Sequence, residues 1–283
     1  MAADKVTGNM RKDGSARAII GCFTCIASRY DVLNRVLSFG RDKAWRELII
    51  DRARKRARVR SGRWGQSVQS VRSGRQEGPA VLDVCTGTGD MALLFAGEDW
   101  TGLITGVDLA PSMLDIARRK MTRQNLGNRV HFKTADALAL PYSREQFDIV
   151  TICFGLRNLT DREAGIEELF RVLKTEGLLF ILEFAPRQRG LTGFLYRLYL
   201  TIAIPLLGTL ISGVPDAYRY LSDSIQAFLE PEEVRRMLHR FGGIRVQAVP
   251  LTYGVVYLYS CRKGAPGRAN RTFPNRTFIE KKC

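Results

Sequence analysis

The run Val81-Leu82-Asp83-Val84-Cys85-Thr86-Gly87-Thr88-Gly89-Asp90 constrains the fold more than any other part of the chain, because it reads as an apolar strand ending in a glycine-rich turn that opens a helix. Strand, tight turn and helix in that order begin a βαβ unit. Glycines there let the backbone turn sharply and bring amide groups close to a ligand at the helix N-terminus. Gly87-x-Gly89-x-x-Ala92 satisfies the dinucleotide spacing, yet Asp90 stands in the first turn of the helix and no Lys or Arg occurs between Gly78 and Arg118. A pyrophosphate would face a carboxylate with no cation in the local sequence. S-adenosylmethionine (SAM) carries a sulfonium, an ammonium and a single carboxylate, so an acidic loop suits it better.

The next strand, Gly102 to Asp108, ends in a carboxylate able to accept both hydroxyl protons of an adenosine ribose. A third apolar stretch leads into Thr134-Ala135-Asp136-Ala137, where Asp136 is placed to accept from the adenine amino group. A fourth, Phe147 to Phe154, runs to the same edge. Ligands of open α/β sheets bind outside the carboxyl ends of the strands, where all of these residues fall. Taken singly, Asp83 and Asp90 are also ordinary turn or cap carboxylates. Four positions in register carry the cofactor reading.

A chain of 283 residues with 45% hydrophobic content can bury one sizeable core. The formal charge of +16 points towards nucleic acid or membrane, but residues 1–20 carry +2, residues 52–77 carry +8 and residues 262–283 carry +6, so the remainder is neutral. The block from Asp51 to Glu77 mixes nine Arg and Lys with Ser, Gly and Gln, which predicts a flexible or frayed-helical insertion. Such a segment is either a solvated loop or an attraction to an anionic surface. The tail after Arg262 repeats Asn-Arg-Thr-Phe at Asn270 and Asn275. The polar N-terminus shows no secretory signal, the six cysteines are scattered, and two histidines leave little for metal chemistry, so reduced cytoplasmic thiols and no metal are expected. Cys22-x-x-Cys25 has no second pair and reads as part of a buried helix face.

Further motifs are less generic. Tyr30 to Gly40 followed by Trp45, Phe154-Gly155-Leu156-Arg157-Asn158-Leu159-Thr160-Asp161, Arg171-Val172-Leu173-Lys174, Leu182-Glu183-Phe184 and Asp216 to Ile225 occur in that order. Together they resemble the quinone-biosynthesis C-methyltransferases, the enzymes similar to demethylmenaquinone methyltransferase and the ubiquinone-pathway C-methylase. The resemblance spans about residues 18–262. Departures from the family's pattern are Leu33 for Met, Asp42 for His, Lys174-Thr175-Glu176-Gly177 for Lys-Pro-Gly-Gly, and Cys85 and Thr86 for small residues.

The resemblance implies an α/β chain with the class I SAM-dependent methyltransferase fold, a Rossmann-like, seven-stranded and mostly parallel sheet, with an inserted helical lid. Its division would be a flexible N-terminus (1–17), a methyltransferase domain (18–262) with the basic insertion 52–77 and an acceptor-binding lid at 190–228, and a basic tail (263–283). Periodicity agrees with helices over Pro111–Gln124 and Asp161–Leu173, a strand over Gly177–Phe184 and a closing pair over Ile244–Pro250 and Gly254–Cys261. By motif alignment the cofactor contacts fall on Thr88, Asp108, Asp136, Ala137 and Cys153, the last in place of a usual Ser; Asp83, Gly87 and Gly89 complete the loop.

The substrate class implied is a polyprenyl hydroquinone methylated on a ring carbon. A ring carbon is a weak nucleophile until a neighbouring hydroxyl loses its proton, so the site must favour a phenolate and align it. Arg157 is the chosen cation, with Asn158 beside it. The alternative for Arg157 is a salt bridge to a carboxylate such as Asp161. Asp216, Tyr218, Tyr220, Tyr30 and Asp31 are candidates for the base, while Tyr30 and Tyr218 could instead pack on the ring. Leu198 to Ser212 is apolar but, at 15 residues, too short to span a bilayer, and reads as a buried helix pair or a greasy wall resting on a membrane. The expected location is therefore cytoplasmic, peripheral to an anionic inner membrane face. Nucleic acid is not an expected partner, and a homodimer or a quinone-biosynthesis complex is left open. Two rival readings are a nucleic-acid methyltransferase, which typically shows Asn/Asp-Pro-Pro-aromatic where Cys153-Phe154-Gly155-Leu156 stands, and a non-catalytic SAM-binding partner protein.

Overall fold

The computed structural model describes residues 20, 21, 24, 27–59, 78–186, 193, 196, 198–203 and 215–265. The helices are α1 (Tyr30–Leu37), α2 (Arg41–Val59), α3 (Asp90–Ala96), α4 (Pro111–Arg123), α5 (Arg162–Val172), α6 (Pro215–Gln226) and α7 (Pro231–Arg240). The strands are β1 (Val81–Val84), β2 (Ile104–Asp108), β3 (Val130–Thr134), β4 (Phe147–Cys153), β5 (Leu173–Phe184), β6 (Gly243–Leu251) and β7 (Val256–Lys263). They form one sheet in the order β3-β2-β1-β4-β5-β7-β6, with β7 alone antiparallel to its neighbours. Strand order reverses between β1 and its neighbours β2 and β4. Both crossovers leave that point in opposite directions, which opens a crevice at the carboxyl ends.

All four residues of β1 are buried, as a central parallel strand covered on both faces requires. One core layer packs Leu156, Ile166, Leu169, Val234 and Leu238, from α5, α7 and the turn after β4, on one face of the sheet. The other packs Trp45, Ile49, Ala53, Met91 and Phe95 of α2 and α3 on the opposite face.

For the first part of the basic block the structure selects the helical of the two readings. Helix α2 runs unbroken to Val59, so its first residues are no flexible insertion. Trp45, Ile49, Ile50 and Ala53 recur at helical spacing and are buried against the sheet, which holds the helix through the charge run. Arg54 pairs with Glu98, Lys55 Nζ donates to Asp51 at 2.7 Å, and Arg56 donates to Gln247 at 2.8 Å. The rest of the block, residues 60–77, lies outside the described residues, as do Cys22, Cys25 and the tail from 266.

Strand β5 starts at Leu173, four residues before the expected Gly177. Leu173 pairs with Phe147 and Leu178 with Ile149, so the intervening residues bulge, and Glu176 takes a φ of +66° within them. The helices expected over Pro111–Gln124 and Asp161–Leu173 are observed one residue shorter at one or both ends, Asp161 capping α5 by accepting from Ala164 N at 3.0 Å. Among the described residues no helix is long and apolar enough to cross a membrane.

Candidate active site

The loop after β1 turns through three left-handed residues, Cys85 (φ +54°), Gly87 (+55°) and Gly89 (+84°). The two glycines serve different ends. A Cβ on Gly89 would lie 2.8 Å from Ala117 Cβ and 2.9 Å from the Phe132 ring, whereas one on Gly87 would meet nothing nearer than the Tyr30 ring at 3.9 Å. Gly89 thus seats α3 against α4 and β3, and Gly87 lets the turn open onto the cleft. Gly89→Ala is expected to cost about 2–4 kcal/mol, from the left-handed backbone and the overlap together, read as a drop in urea-unfolding stability.

The cleft, with about 840 Å³ of empty space counted out to its opening into solvent, is lined by Gly87, Asp108, Asp136, Ala137, Cys153 and Asn158, with Met113, Leu109 and Leu138 as apolar wall. Asp108 Oδ2 accepts from Gly87 N at 2.8 Å and Oδ1 from Ala110 N at 2.9 Å. Each oxygen therefore keeps acceptor capacity for one hydroxyl, the need of a vicinal diol. Burial raises the Asp108 carboxyl above its usual range, opposed by the bonds from Ala110, Gly87 and Leu109. Asp136 Oδ1 accepts from Leu138 N at 2.9 Å, leaving its other oxygen for a donor such as an amino group. Burial pushes the Cys85 and Cys153 thiols up, aided by nearby carboxylates, so both stay neutral and Cys153 offers only a weak donor.

Three side chains of the loop have protein partners that the local sequence does not show. Asp83 does not line the cleft: it is 1% exposed beneath the loop and accepts from Thr86 Oγ1 at 2.6 Å and Thr151 Oγ1 at 2.7 Å. Thr88 is likewise buried, and its hydroxyl donates to Asp31 at 2.5 Å and accepts from Lys120 at 3.1 Å. Asp90 is not an unopposed carboxylate, since Lys120 Nζ lies 2.7 Å and Arg46 NH2 3.9 Å away. The case against a pyrophosphate survives on a different residue. The Gly87 amide that would cradle a phosphate is already taken by Asp108.

The Asp83 carboxyl is lifted from 3.8 to about 6 by burial, against the opposing hydroxyl bonds of Thr86 and Thr151. A folded-state value above the unfolded one stabilises the fold fully below the unfolded value, and that contribution is lost as pH rises through the folded one. The stability difference between this chain and Asp83→Asn should therefore move in favour of this chain by about 2–3 kcal/mol between about pH 7.5 and about pH 4. Denaturation profiles of both proteins across that range check it, and a constant difference would contradict it.

Arg157 stands in the turn after β4, between the cleft-lining Gly155 and Asn158. Its ion pair is with Glu183, not Asp161: Arg157 NH1 donates to Glu183 Oε1 at 2.8 Å and to the Phe154 carbonyl at 2.6 Å. Glu183, fully buried at the end of β5, also accepts from the Arg157 amide at 3.2 Å and the Phe184 amide at 2.9 Å. Burial opposes the Arg157 charge, but Glu183 and neighbouring tyrosines outweigh it, so the guanidinium stays cationic. Its Nε and the buried Tyr196 hydroxyl find no hydrogen-bond partner among the described residues. Tyr220 donates to Asn158 Oδ1 at 3.1 Å, bringing α6 onto the same turn. Tyr30 lines the cleft from α1, its hydroxyl raised by burial and held in the fields of Arg157 and Arg46. The backbones of Asp216 and Tyr218 fall in the first turn of α6, but their side chains lie outside the described residues, as does most of the expected lid. Glu183 and Tyr196 were missed. The signal for Glu183 was a lone carboxylate closing an apolar strand.

Such a sheet, with a glycine loop braced by the carboxylate of the next strand, defines the class I SAM-dependent methyltransferases. A solved phosphoethanolamine N-methyltransferase from Haemonchus contortus in complex with S-adenosyl-L-methionine shares the fold, with a TM-score of 0.52 over 71% of this chain and 53% of that one at 15% identity. The profile of the ubiE/COQ5 methyltransferase family matches residues 10–263, and the chain belongs to that family. It is 43% identical to a demethylmenaquinone methyltransferase of Thermus thermophilus over 84% of this chain and 97% of that one. To a ubiquinone/menaquinone biosynthesis C-methyltransferase of Shewanella halifaxensis it is 34% identical, over 86% and 90%. It is accordingly a SAM-dependent C-methyltransferase.

Proposed function

We propose that the chain methylates a ring carbon of a polyprenyl hydroquinone, with demethylmenaquinol as acceptor and the ubiquinone-pathway benzoquinol as the second candidate. SAM, when bound, supplies an electrophilic methyl group on a sulfonium. The chain's own residues supply the rest. Asp108 and Asp136 take the ribose and adenine, Met113, Leu109 and Leu138 exclude water, and Gly87 keeps the turn open.

The observation that carries the acceptor reading is a cation with an unused donor at a buried position beside the cleft. Arg157 is fixed by Glu183 and the Phe154 carbonyl through one nitrogen, and its Nε is left over. A donor held rigidly in a dry site favours the ionised form of a phenol that accepts from it. Pairing with Glu183 makes Arg157 a directed donor more than a free charge. Asn158 and Tyr30 line the cleft there, and the buried Tyr196 hydroxyl lies in the field of Arg157. Basic segments at 60–77 and in the tail add attraction to an anionic membrane, where such an acceptor resides, so the working location is peripheral on the cytoplasmic face.

Reduced demethylmenaquinone and the benzoquinol precursor, assayed side by side with labelled SAM, test the acceptor. Faster labelling of the naphthoquinol is the expected result. Labelling of bulk RNA instead would favour the nucleic-acid reading, and SAM binding with no transfer the non-catalytic one.

A further inference from the structure

Seven large apolar side chains are exposed among the described residues, and five of them, Val32, Val36, Phe39, Leu198 and Ile202, come from two neighbouring elements. Scattered exposed apolar residues need no explanation, but this concentration does. Val32, Val36 and Phe39 follow helical spacing along α1 and the turn after it, on the side away from Tyr30 and the cleft. Leu198 and Ile202, also four apart, stand just before and within the π-helical turn Tyr199–Ala203. Tyr199 joins the two elements: its hydroxyl donates to the Leu37 carbonyl at 2.5 Å and its ring centroid lies 5.9 Å from that of Phe39. Phe39 is 80% exposed and holds a left-handed φ of +51°, a costly backbone for a bulky residue presented to solvent.

The exposed charges around this patch are mostly basic. Arg29, Arg35, Arg41 and Lys43 are exposed, against a single exposed carboxylate, Glu47. The other two acids of the segment are already paired, Asp42 buried between Arg46 and the rim residue Arg35 and Asp31 bonded to Lys120. We propose that this patch is a membrane-docking face, in which the five apolar side chains enter the interfacial layer and the basic ring meets anionic headgroups. An apolar face rimmed with arginine and lysine is the composition that lies in a lipid interface. A second copy of the chain would bring two like-charged rims together, which disfavours self-association through this face. The placement rests on the quinol reading in one respect: Tyr30, on the other side of α1, lines the cleft, so a prenyl tail leaving it would meet lipid within the width of one helix.

The test uses the full chain and the double variant Val36→Glu/Phe39→Glu, with Leu198→Ser/Ile202→Ser as an independent probe of the second element. Flotation with phosphatidylcholine vesicles, with and without phosphatidylglycerol, should show at least tenfold weaker binding for either variant, while the affinity for SAM and the methylation of a short-tailed, detergent-dispersed quinol stay unchanged. The parent protein's binding should need the anionic lipid and weaken with salt. Vesicle binding that survives in both variants, or a parent protein that does not bind vesicles, would overturn the proposal. So would a parent dimer that the variants dissociate with vesicle binding intact, because a second copy would then cover the face. Failure of the parent protein to methylate the short-tailed quinol would instead count against the functional reading and leave the vesicle result to judge the surface.

Discussion

Arg157→Gln is expected to slow methyl transfer by about two orders of magnitude or more, the scale seen when one transition-state stabiliser is removed, with little change in affinity for SAM. It should also destabilise the fold. Removing one partner of a buried ion pair leaves the other uncompensated, at a cost of about 3–5 kcal/mol, and Glu183 has no exposure through which to recover solvation. These two effects can be separated. In the double variant Arg157→Gln/Glu183→Gln no charge is left buried, so most of the stability should return while the rate does not. The pH profile sharpens the distinction: without the cation the bound quinol ionises at higher pH, so the rate of the folded double variant should recover in part as pH is raised. A double variant with near-normal turnover and an unshifted profile would mark Arg157 and Glu183 as a structural pair.

Asp108→Ala should weaken SAM binding by about 100-fold or more. Two hydrogen bonds from hydroxyls to an ionised carboxylate are lost, each contributing about 1.5–3 kcal/mol, and the loop loses its anchor as well. The same carboxylate holds the Gly87 and Ala110 amides, so the variant leaves both without their acceptor. Asp108→Asn keeps the shape but turns one acceptor oxygen into a donor, and is expected to fall between the two. Titration calorimetry measures all three. Unchanged affinity in Asp108→Ala, with the fold intact, would remove Asp108 from the cofactor site.

The parts of this site that local sequence shows are those that depend on local geometry. The strand, the glycine turn and the carboxylates at the ends of β2 and β3 follow from spacing along the chain, and Asp108, Asp136, Ala137 and Cys153 all line the cleft. Electrostatic partners brought by tertiary packing do not. Asp90 looked unopposed because Lys120 and Arg46 lie 30 and 44 residues away along the chain, yet the packing of α2 and α4 delivers both. Asp83 looked like a ligand group because it opens the loop motif, and only the two threonines bonded to it reveal that its oxygens are used. Glu183 could have been suspected, since a carboxylate inside an otherwise apolar central strand is costly to bury without a counter-ion. Which cation paired with it was not visible. Composition misled at α2, where eleven charged residues obscured four apolar residues at helical spacing.

Locating the transferred methyl group tests the central claim most directly. With SAM carrying a carbon-13 methyl group and reduced demethylmenaquinone as acceptor, the product's proton–carbon spectrum should show an aryl methyl on the quinone ring, formed by the parent protein and nearly lost in the refolded Arg157→Gln/Glu183→Gln variant. A methyl ether, a labelled nitrogen, or an aryl methyl formed equally well by that variant would contradict the account.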